Sequence, residues 1–266
     1  MLHQPADDSN SGSSAGTASA GRSAIDRIAT ALDVVATRGW VSATELGDAL
    51  GVDRSTGWRL ARSLERVGWL RHDPVSGRYR LGIPLFELGT RVLDTIDFRD
   101  EARAVMTDLV ASTGESVDLA VRDGDSVVFI DKLDGTNEVR AFTRSGQRAR
   151  LHAAAAGKVF LAAMPEAELA GYLAGPLPAY TPATVTDAER VRTIVAETRE
   201  RGWAINRGEL FPEAGALAVP VYDARGITAA ALGLNVPLSR LTDERIEALV
   251  AGLESGARRL ALHAAA

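Results

Sequence analysis

Three large side chains recur at helical spacing in one short stretch of the chain. Arg54, Trp58 and Arg62 follow one another at intervals of four residues, so a helix would place them on one face. This face is flanked by Ser55, Thr56, Arg59 and Arg66. Guanidinium groups bind phosphate and guanine through paired hydrogen bonds, and hydroxyls in the first turn of a helix suit phosphate oxygens. The stretch therefore predicts a helix that binds a polyanion.

Two helices are predicted before this stretch. Apolar residues at spacings of three and four predict a first helix over residues 23–37. Ser42 followed by Glu45 forms a capping box, which predicts a second helix over residues 43–50.

The arginine-rich stretch is itself predicted to be a third helix, over residues 54–67. Asp53 is a favourable N-cap for it. Its buried stripe is predicted to consist of Leu60, Leu64 and Val67. Two helices joined by a short turn, with arginines on the second, are typical of a helix-turn-helix.

A β-hairpin is predicted directly after these helices. Residues 69–73 and 78–81 predict two strands, joined by a turn that contains proline and glycine. Such a hairpin beside a helix-turn-helix is a wing. Arg78 and Arg80 are expected to hold phosphates, and Tyr79 is expected to pack inside the wing.

The rest of the chain predicts helices interleaved with strands and hairpins, which indicates an α+β domain with a largely antiparallel sheet. The predicted helices are residues 100–112, 154–163, 165–173, 187–201 (capped by Thr186) and 242–263. The predicted strands are residues 115–122, 126–132, 137–143, 203–211, 215–222 and 227–236. The predicted division is a disordered tail (1–21), a winged helix-turn-helix (22–84), a linker helix (85–97) and a larger domain (98–266).

Composition excludes several classes of protein. The 266 residues suggest about two domains, and the absence of cysteine rules out disulfides, zinc–thiolate sites and a cysteine nucleophile. The N-terminus lacks the pattern of a signal peptide, and no run of about 18 apolar residues is present. These features predict a cytoplasmic protein with no membrane partner.

Catalytic chemistry is not predicted. Of the four histidines only His152 lies in a motif, and no serine or aspartate motif accompanies it. No glycine-rich phosphate loop is present, and neither a metal nor a cofactor is expected. Lys158 is expected to be structural, with its ammonium in water.

The charge of the chain is unevenly distributed. The net charge is -5, which taken alone argues against a nucleic-acid binder. Residues 22–80 nevertheless carry +3, and the remainder carries -8. The average therefore conceals a basic segment on an acidic body.

The motifs of the chain, in order, resemble those of the IclR family of bacterial transcriptional regulators. They are Ala43-Thr44-Glu45-Leu46, Asp53-Arg54-Ser55-Thr56-Gly57-Trp58-Arg59-Leu60, Gly77-Arg78-Tyr79-Arg80-Leu81-Gly82, Leu151-His152-Ala153-Ala154-Ala155-Ala156-Gly157-Lys158, Thr181-Pro182-Ala183-Thr184, Arg201-Gly202-Trp203-Ala204 and Ala218-Val219-Pro220-Val221. The resemblance covers the chain from Ser23 onward and implies a winged helix-turn-helix followed by a GAF- or PAS-like effector domain. It also implies a homodimer or homotetramer that binds double-stranded operator DNA.

The resemblance implies two sets of site residues. The expected DNA contacts are Thr44, Arg54, Ser55, Thr56, Trp58, Arg59, Arg62, Arg78 and Arg80. The expected effector contacts are Ala155, Ala156, Gly157, Asn206, Ala216, Gly233 and Asn235. Two alternatives stay open: Trp58 either contacts DNA or packs in its own domain, and the alanine run either holds an effector carboxylate or simply packs tightly.

The expected effector site departs from the family's pattern. The resemblance places an acidic residue where this chain has Asn206, a thiol or hydroxyl where it has Ala216, and a small polar residue where it has Gly233. A roomier, more apolar pocket for a larger or aromatic acid is therefore expected. The implied function is control of a catabolic or metabolic operon by a small organic acid. The alternative is a metabolite-sensing module or enzyme whose winged helix binds protein.

Overall fold

A computed structural model describes residues 23–93, 99–139 and 143–263. The chain divides into two compact units, Met1–Asp94 and Thr95–Ala266. The predicted disordered tail, residues 1–21, lies outside the described residues. So do residues 94–97 of the predicted linker helix.

Within residues 23–93, the described part of the first unit, four helices accompany a three-stranded antiparallel sheet with the order β1-β3-β2. Its elements are α1 (Ala24–Arg38), β1 (Val41–Ser42), α2 (Ala43–Leu50), α3 (Arg54–Arg66), β2 (Leu70–Asp73), β3 (Arg78–Leu81) and α4 (Ile83–Leu93). The helix-turn-helix and its wing are thus confirmed. Strand β1 was not predicted, because two residues are too few to show an alternating pattern.

Side-chain caps explain where the first helices begin. Ser23 and Asp26 form a capping box at α1, and Ser42 and Glu45 form another at α2. The Asp53 carboxylate accepts the first free N–H groups of α3. The predicted caps of α2 and α3 are confirmed.

Helices α2 and α3 pack at very short range through two glycines. A Cβ added to Gly57 would lie 2.7 Å from the Ala43 carbonyl oxygen and 2.9 Å from the Gly47 Cα. The buried face of α3 is accordingly Gly57, Ala61 and Leu64. The prediction that Val67 belongs to this face was wrong: α3 ends at Arg66, and the Val67 side chain is exposed.

The described residues of the second unit form a six-stranded antiparallel sheet covered by helices on both faces. Its elements are α5 (Arg99–Thr113), β4 (Ser116–Asp123), β5 (Ser126–Leu133), β6 (Arg148–Arg150), a short 3₁₀ helix (Leu151–Ala153), α6 (Ala155–Ala163), α7 (Glu166–Leu173), α8 (Ala188–Arg201), β7 (Ala204–Arg207), β8 (Ala214–Tyr222), β9 (Thr228–Pro237), a second 3₁₀ helix (Leu238–Arg240) and α9 (Asp243–His263). The strand order is β6-β5-β4-β9-β8-β7.

Successive side chains of each strand point to opposite faces of the sheet, and each face forms its own hydrophobic core. Leu217, Val219 and Val221 of β8 pack with α5 and α9, whereas Ala218 packs with α6, α7 and α8 on the opposite face. Large aliphatic residues therefore fill one face, and alanines let α6 approach the other closely. The predicted α+β class and antiparallel sheet are confirmed.

Several predicted boundaries differ from the structure. Residues 137–139 form no strand, and residues 140–142 of that predicted strand lie outside the described residues. The cap of α8 is Asp187 rather than Thr186. Strand β7 stops at Arg207 because Gly208 has a φ of 78° and turns the chain.

Membrane spans were sought among the described helices. None of them is long and apolar enough to cross a bilayer.

Candidate DNA-binding surface and effector cavity

The exposed face of α3 carries the predicted DNA contacts. Arg54, Ser55, Arg59 and Arg62 are exposed, and Trp58 is 52% exposed. Trp58 therefore does not pack in the core of its own domain. The Arg62 guanidinium lies 6.0 Å from the centre of the Trp58 ring and 2.8 Å from the Glu65 carboxylate. Arg62 is thus partly neutralised within the helix.

The first turn of α3 offers fewer donors than the sequence suggested. The N–H groups of Ser55 and Thr56 donate to the Asp53 carboxylate at 2.9 and 3.0 Å. Their hydroxyls donate to it as well, at 2.5 and 2.7 Å. The expectation that these groups face phosphate with free N–H donors is wrong in this state, because the N-cap already uses them.

The wing arginines have different roles. Arg78 donates to both Glu45 carboxylate oxygens, at 2.8 and 2.9 Å, and to the Trp40 carbonyl oxygen. These bonds tie the wing to α2, so the expectation that Arg78 holds phosphate is not supported. Arg80 is exposed, with its guanidinium 5.1 Å from the centre of the Trp40 ring.

Two further predictions concern neighbouring residues. Tyr79 is buried inside the wing, as expected. Thr44 is exposed in the first turn of α2. Exposed arginines thus lie on α3 and the wing, and others lie on α1 (Arg27 and Arg38) and α4 (Arg91). Thr44 and Trp58 add polar and aromatic surface.

The second unit contains a buried cavity beside the start of α6. Six of the seven predicted effector residues line this cavity, and Gly157 does not. Ala154 provides no side-chain cap for α6. Among the described residues, the N–H groups of Ala155, Ala156 and Gly157 have no hydrogen-bond acceptor, and these three residues are buried. Uncapped donors at a buried helix N-terminus suit an anion.

Gly157 has a packing role instead of a lining role. A Cβ at this position would overlap the Leu151 backbone. The glycine therefore allows α6 to sit against the 3₁₀ turn that precedes it.

Asn206 is held on two sides. Its Nδ2 donates to the Ala153 carbonyl oxygen at 2.6 Å, and its Oδ1 accepts from the Glu209 N–H at 2.9 Å. The amide therefore positions the chain in front of α6. One of its two amide protons remains without an acceptor among the described residues.

Asp118 is an ionisable cavity residue that was not predicted from the sequence. It lies on β4, is 2% exposed, and lines the cavity. Its Oδ2 accepts from Asn235 Nδ2 at 2.6 Å and from Thr143 Oγ1 at 3.5 Å. Burial raises the pKa of the Asp118 carboxyl to about 6. An aspartate inside a mostly apolar strand was the available signal.

The cavity is small and has a polar end. Its volume is about 20 Å³, roughly the room of one water molecule. Phe129, Leu210 and Phe211 line the cavity together with the alanines at the start of α6. The expectation of a roomier pocket is not met by this volume, because the large side chains of Phe129, Leu210 and Phe211 also line the cavity. The rest of the lining is apolar except for Asp118, Asn206 and Asn235.

Lys158 forms a buried ion pair close to this cavity. Its ammonium is 2.5 Å from Glu209 Oε1 and 2.9 Å from the Ile205 carbonyl oxygen, and the residue is 2% exposed. Its structural role agrees with expectation, but its ammonium does not lie in water. Burial lowers the pKa of Lys158.

His152 is also a structural residue. Its ring bonds to the Tyr172 hydroxyl at 2.8 Å and to the Pro178 carbonyl oxygen at 3.1 Å, inside the core. In the described part of the chain, no group of three or more His, Asp or Glu residues is arranged to hold a metal ion.

Both units match family models. The model of the IclR helix-turn-helix domain matches residues 24–74, and that of the IclR C-terminal region of bacterial transcriptional regulators matches residues 90–262. The chain belongs to the IclR family. It is accordingly a transcriptional regulator of the IclR type.

Similar proteins are regulators as well. The HTH-type transcriptional regulator XynR of Escherichia coli (strain K12) is 35% identical over 204 residues, which are 76% of this chain and 81% of XynR. The IclR regulator from Alicyclobacillus acidocaldarius is 32% identical, with a TM-score of 0.78 and coverage of 90% of this chain and 98% of that one. An IclR homologue from Microbacterium hydrocarbonoxydans, solved with 4-hydroxybenzoate, is 27% identical, with a TM-score of 0.78 and coverage of 90% and 97%.

Proposed function

We propose that this IclR-type regulator controls a catabolic or metabolic operon in response to a small organic acid. The observation that carries the proposal is the uncapped, buried N-terminus of α6, which opens on a cavity with polar groups at its other side. The protein is proposed to act in the cytoplasm, where operator DNA is accessible.

Operator binding is proposed to depend on the exposed side chains of the first unit. Arg54 and Arg59 are the groups on α3 best placed to meet guanine or phosphate, because Arg62 is paired with Glu65. Arg80 adds a phosphate contact from the wing. Trp58 contributes an exposed aromatic surface on the same helix.

The effector's carboxylate is proposed to bind the first turn of α6. The N–H groups of Ala155, Ala156 and Gly157 and the positive end of the helix dipole favour an anion. The cavity must widen to admit an acid. Leu210 and Phe211 lie in the turn between β7 and β8, and we expect that wall to move when the effector binds.

The assembly is proposed to be a homodimer or a pair of homodimers. Helix α4 exposes apolar side chains: Ile83, Phe86, Leu88 and Val92. Exposed apolar surface of this extent is commonly covered in an assembly. A second copy of this chain is the proposed cover, and two recognition helices would then bind a pseudo-palindromic operator.

The experiment that tests the proposal has two parts. DNA from upstream of the protein's own gene should bind in about 100 mM salt, with affinity that falls as salt rises. A panel of small organic acids should include at least one that raises the melting temperature and changes operator affinity. Absence of DNA binding would instead favour the alternative of a metabolite-sensing module whose winged helix binds protein, and absence of any stabilising acid would contradict effector control.

A further inference from the structure

The cavity has a polar end that the acid-binding helix terminus does not explain. Asp118 on β4 and Asn235 on β9 lie on neighbouring strands and are joined by the 2.6 Å bond between Asn235 Nδ2 and Asp118 Oδ2. Both side chains are more than nine-tenths buried, and both line the cavity. Burial of this polar pair costs free energy, which calls for a partner inside the cavity.

Gly233 makes room for the aspartate. It lies directly opposite Asp118 in the β4–β9 pairing. A Cβ at Gly233 would lie 2.5 Å from Asp118 Oδ1. The absence of a side chain at Gly233 therefore leaves room for the Asp118 carboxylate. The wall then has a carboxyl group from β4 beside the Asn235 amide from β9.

Two acceptor atoms of the pair are unused. Among the described residues, no donor hydrogen-bonds to Asp118 Oδ1 or to Asn235 Oδ1. Asn206, which also lines the cavity, keeps one amide proton without an acceptor. The wall thus offers two acceptors and one donor.

We propose that Asp118 is the specificity-determining residue of the effector site and that, with Asn235, it recognises a hydroxyl group at the far end of the acid from its carboxylate. This rests on the proposed function, since it assumes that the carboxylate lies at α6. A hydroxyl both donates and accepts, which matches a wall with both kinds of atom. An ammonium only donates, so it would leave the Asn206 proton unused.

The test compares acids that differ by one hydroxyl group. Dissociation constants for the full chain are measured by calorimetry with 4-hydroxybenzoate against benzoate and with 4-hydroxybutyrate against butyrate. At least one hydroxylated acid should bind about tenfold or more tightly than its partner, since a buried hydrogen bond to a carboxyl group is involved. The pair that shows the difference tells whether the effector is aromatic or aliphatic.

Substitutions of Asp118 test whether this residue causes the preference for the hydroxylated acid. Asp118→Ala has no acceptor at this position, so the ratio of the two dissociation constants within a pair of acids should fall close to one. Asp118→Asn has the same shape and should also reduce the ratio, which guards against misfolding of the alanine variant. The control is Asp131→Asn, a buried aspartate on β5 that pairs with Arg103 and is not among the cavity residues. Its ratio should equal that of the unchanged protein.

Four results would overturn the proposal. They are equal binding within both pairs, an unchanged ratio in both Asp118 variants, tighter binding of 4-aminobutyrate than of 4-hydroxybutyrate, and no binding of any of these acids. The proposed function is judged separately, by operator binding and by stabilisation with the broader panel of acids. Binding of acids without discrimination would therefore remove the role of Asp118 and leave effector control intact.

Discussion

Asp118 and Lys158 show two ways in which this chain holds a charge-bearing group inside a core. Asp118 has neutral partners only, Asn235 and Thr143, so burial raises its pKa to about 6 and the proton is retained more easily. Lys158 instead faces the Glu209 carboxylate. The first arrangement favours a group that changes its charge near neutral pH, and the second favours a fixed ion pair.

Asp118→Asn should change how stability depends on pH. The pKa rises from 3.8 to about 6 on folding, so the folded state holds the proton more tightly. Protonation of Asp118 therefore adds to the free energy of unfolding. This contribution is complete below pH 4 and is lost as pH rises through 6. The loss amounts to about 3 kcal/mol in all.

Urea unfolding followed by circular dichroism at pH 4 and pH 7.5 checks this prediction. Asp118→Asn should match the unchanged protein at pH 4 and exceed its stability at pH 7.5. Equal stability of the two proteins at both pH values would contradict it.

Lys158→Met should destabilise the second unit by about 3–5 kcal/mol, because Glu209 would be left buried without its partner. Glu209 Oε2 already lacks a hydrogen-bond partner among the described residues. The double variant Lys158→Met/Glu209→Met should regain most of that loss. Urea unfolding of the single and double variants measures the coupling.

A surface pair supplies the control for this measurement. Arg192 and Glu166 form an ion pair on the surface, with Glu166 largely exposed. Arg192→Met should cost less than about 1 kcal/mol. A loss for Lys158→Met as small as this would contradict the structural role of the buried pair.

At the scale of elements, the sequence predicted helix starts correctly where a single capping side chain determines them. Ser42 and Asp53 cap α2 and α3 as predicted, because a cap depends on residues within one turn. The end of strand β7 at Arg207 and the absence of a strand at 137–139 were not predicted, because sheet pairing depends on distant partners. Asp118 was missed for the same reason, since only the β4–β9 pairing brings it to Gly233 and Asn235.

Helix α3 makes a specific prediction about DNA affinity. Arg59→Ala should weaken operator binding and reduce the slope of log affinity against log salt concentration by about one, if Arg59 neutralises one phosphate, or relax preference at one base pair, if it binds guanine. Fluorescence anisotropy at several salt concentrations measures both. Arg258→Ala on α9, an exposed arginine paired with Glu254, is the control and should change neither. Unaltered binding by Arg59→Ala would remove this residue from the interface.

At the scale of the whole molecule, charge and apolar surface are distributed separately. Residues 22–80 carry +3 and the rest carries -8, so the sequence already indicated a basic DNA-binding segment on an acidic body. A linker helix over residues 85–97 was predicted from the sequence, but the partner of the apolar side chains exposed on α4 could not be derived from one chain. Assembly depends on how two folded surfaces fit each other, and the pattern of one sequence does not show that fit.

Phe86→Glu should lower the oligomeric state. Phe86 is 68% exposed on α4, and a carboxylate there would be buried without a partner in the proposed assembly. Sedimentation velocity should show a shift toward monomer and weaker operator binding. Ile227→Glu, at an exposed apolar position of the second unit, is the control and should keep the assembly of the unchanged protein. An assembly that resists Phe86→Glu would exclude α4 from the contact.

The construction of α3 has a consequence for how this regulator can diversify. Asp53 fixes where the helix begins, and Gly57 fixes how closely it lies against α2. Arg54, Trp58 and Arg59 project outward and contribute little to that framework. Substitutions at these outward positions can therefore accumulate without loss of folding, and descendants of one gene can acquire new target sites while Asp53 and Gly57 stay unchanged.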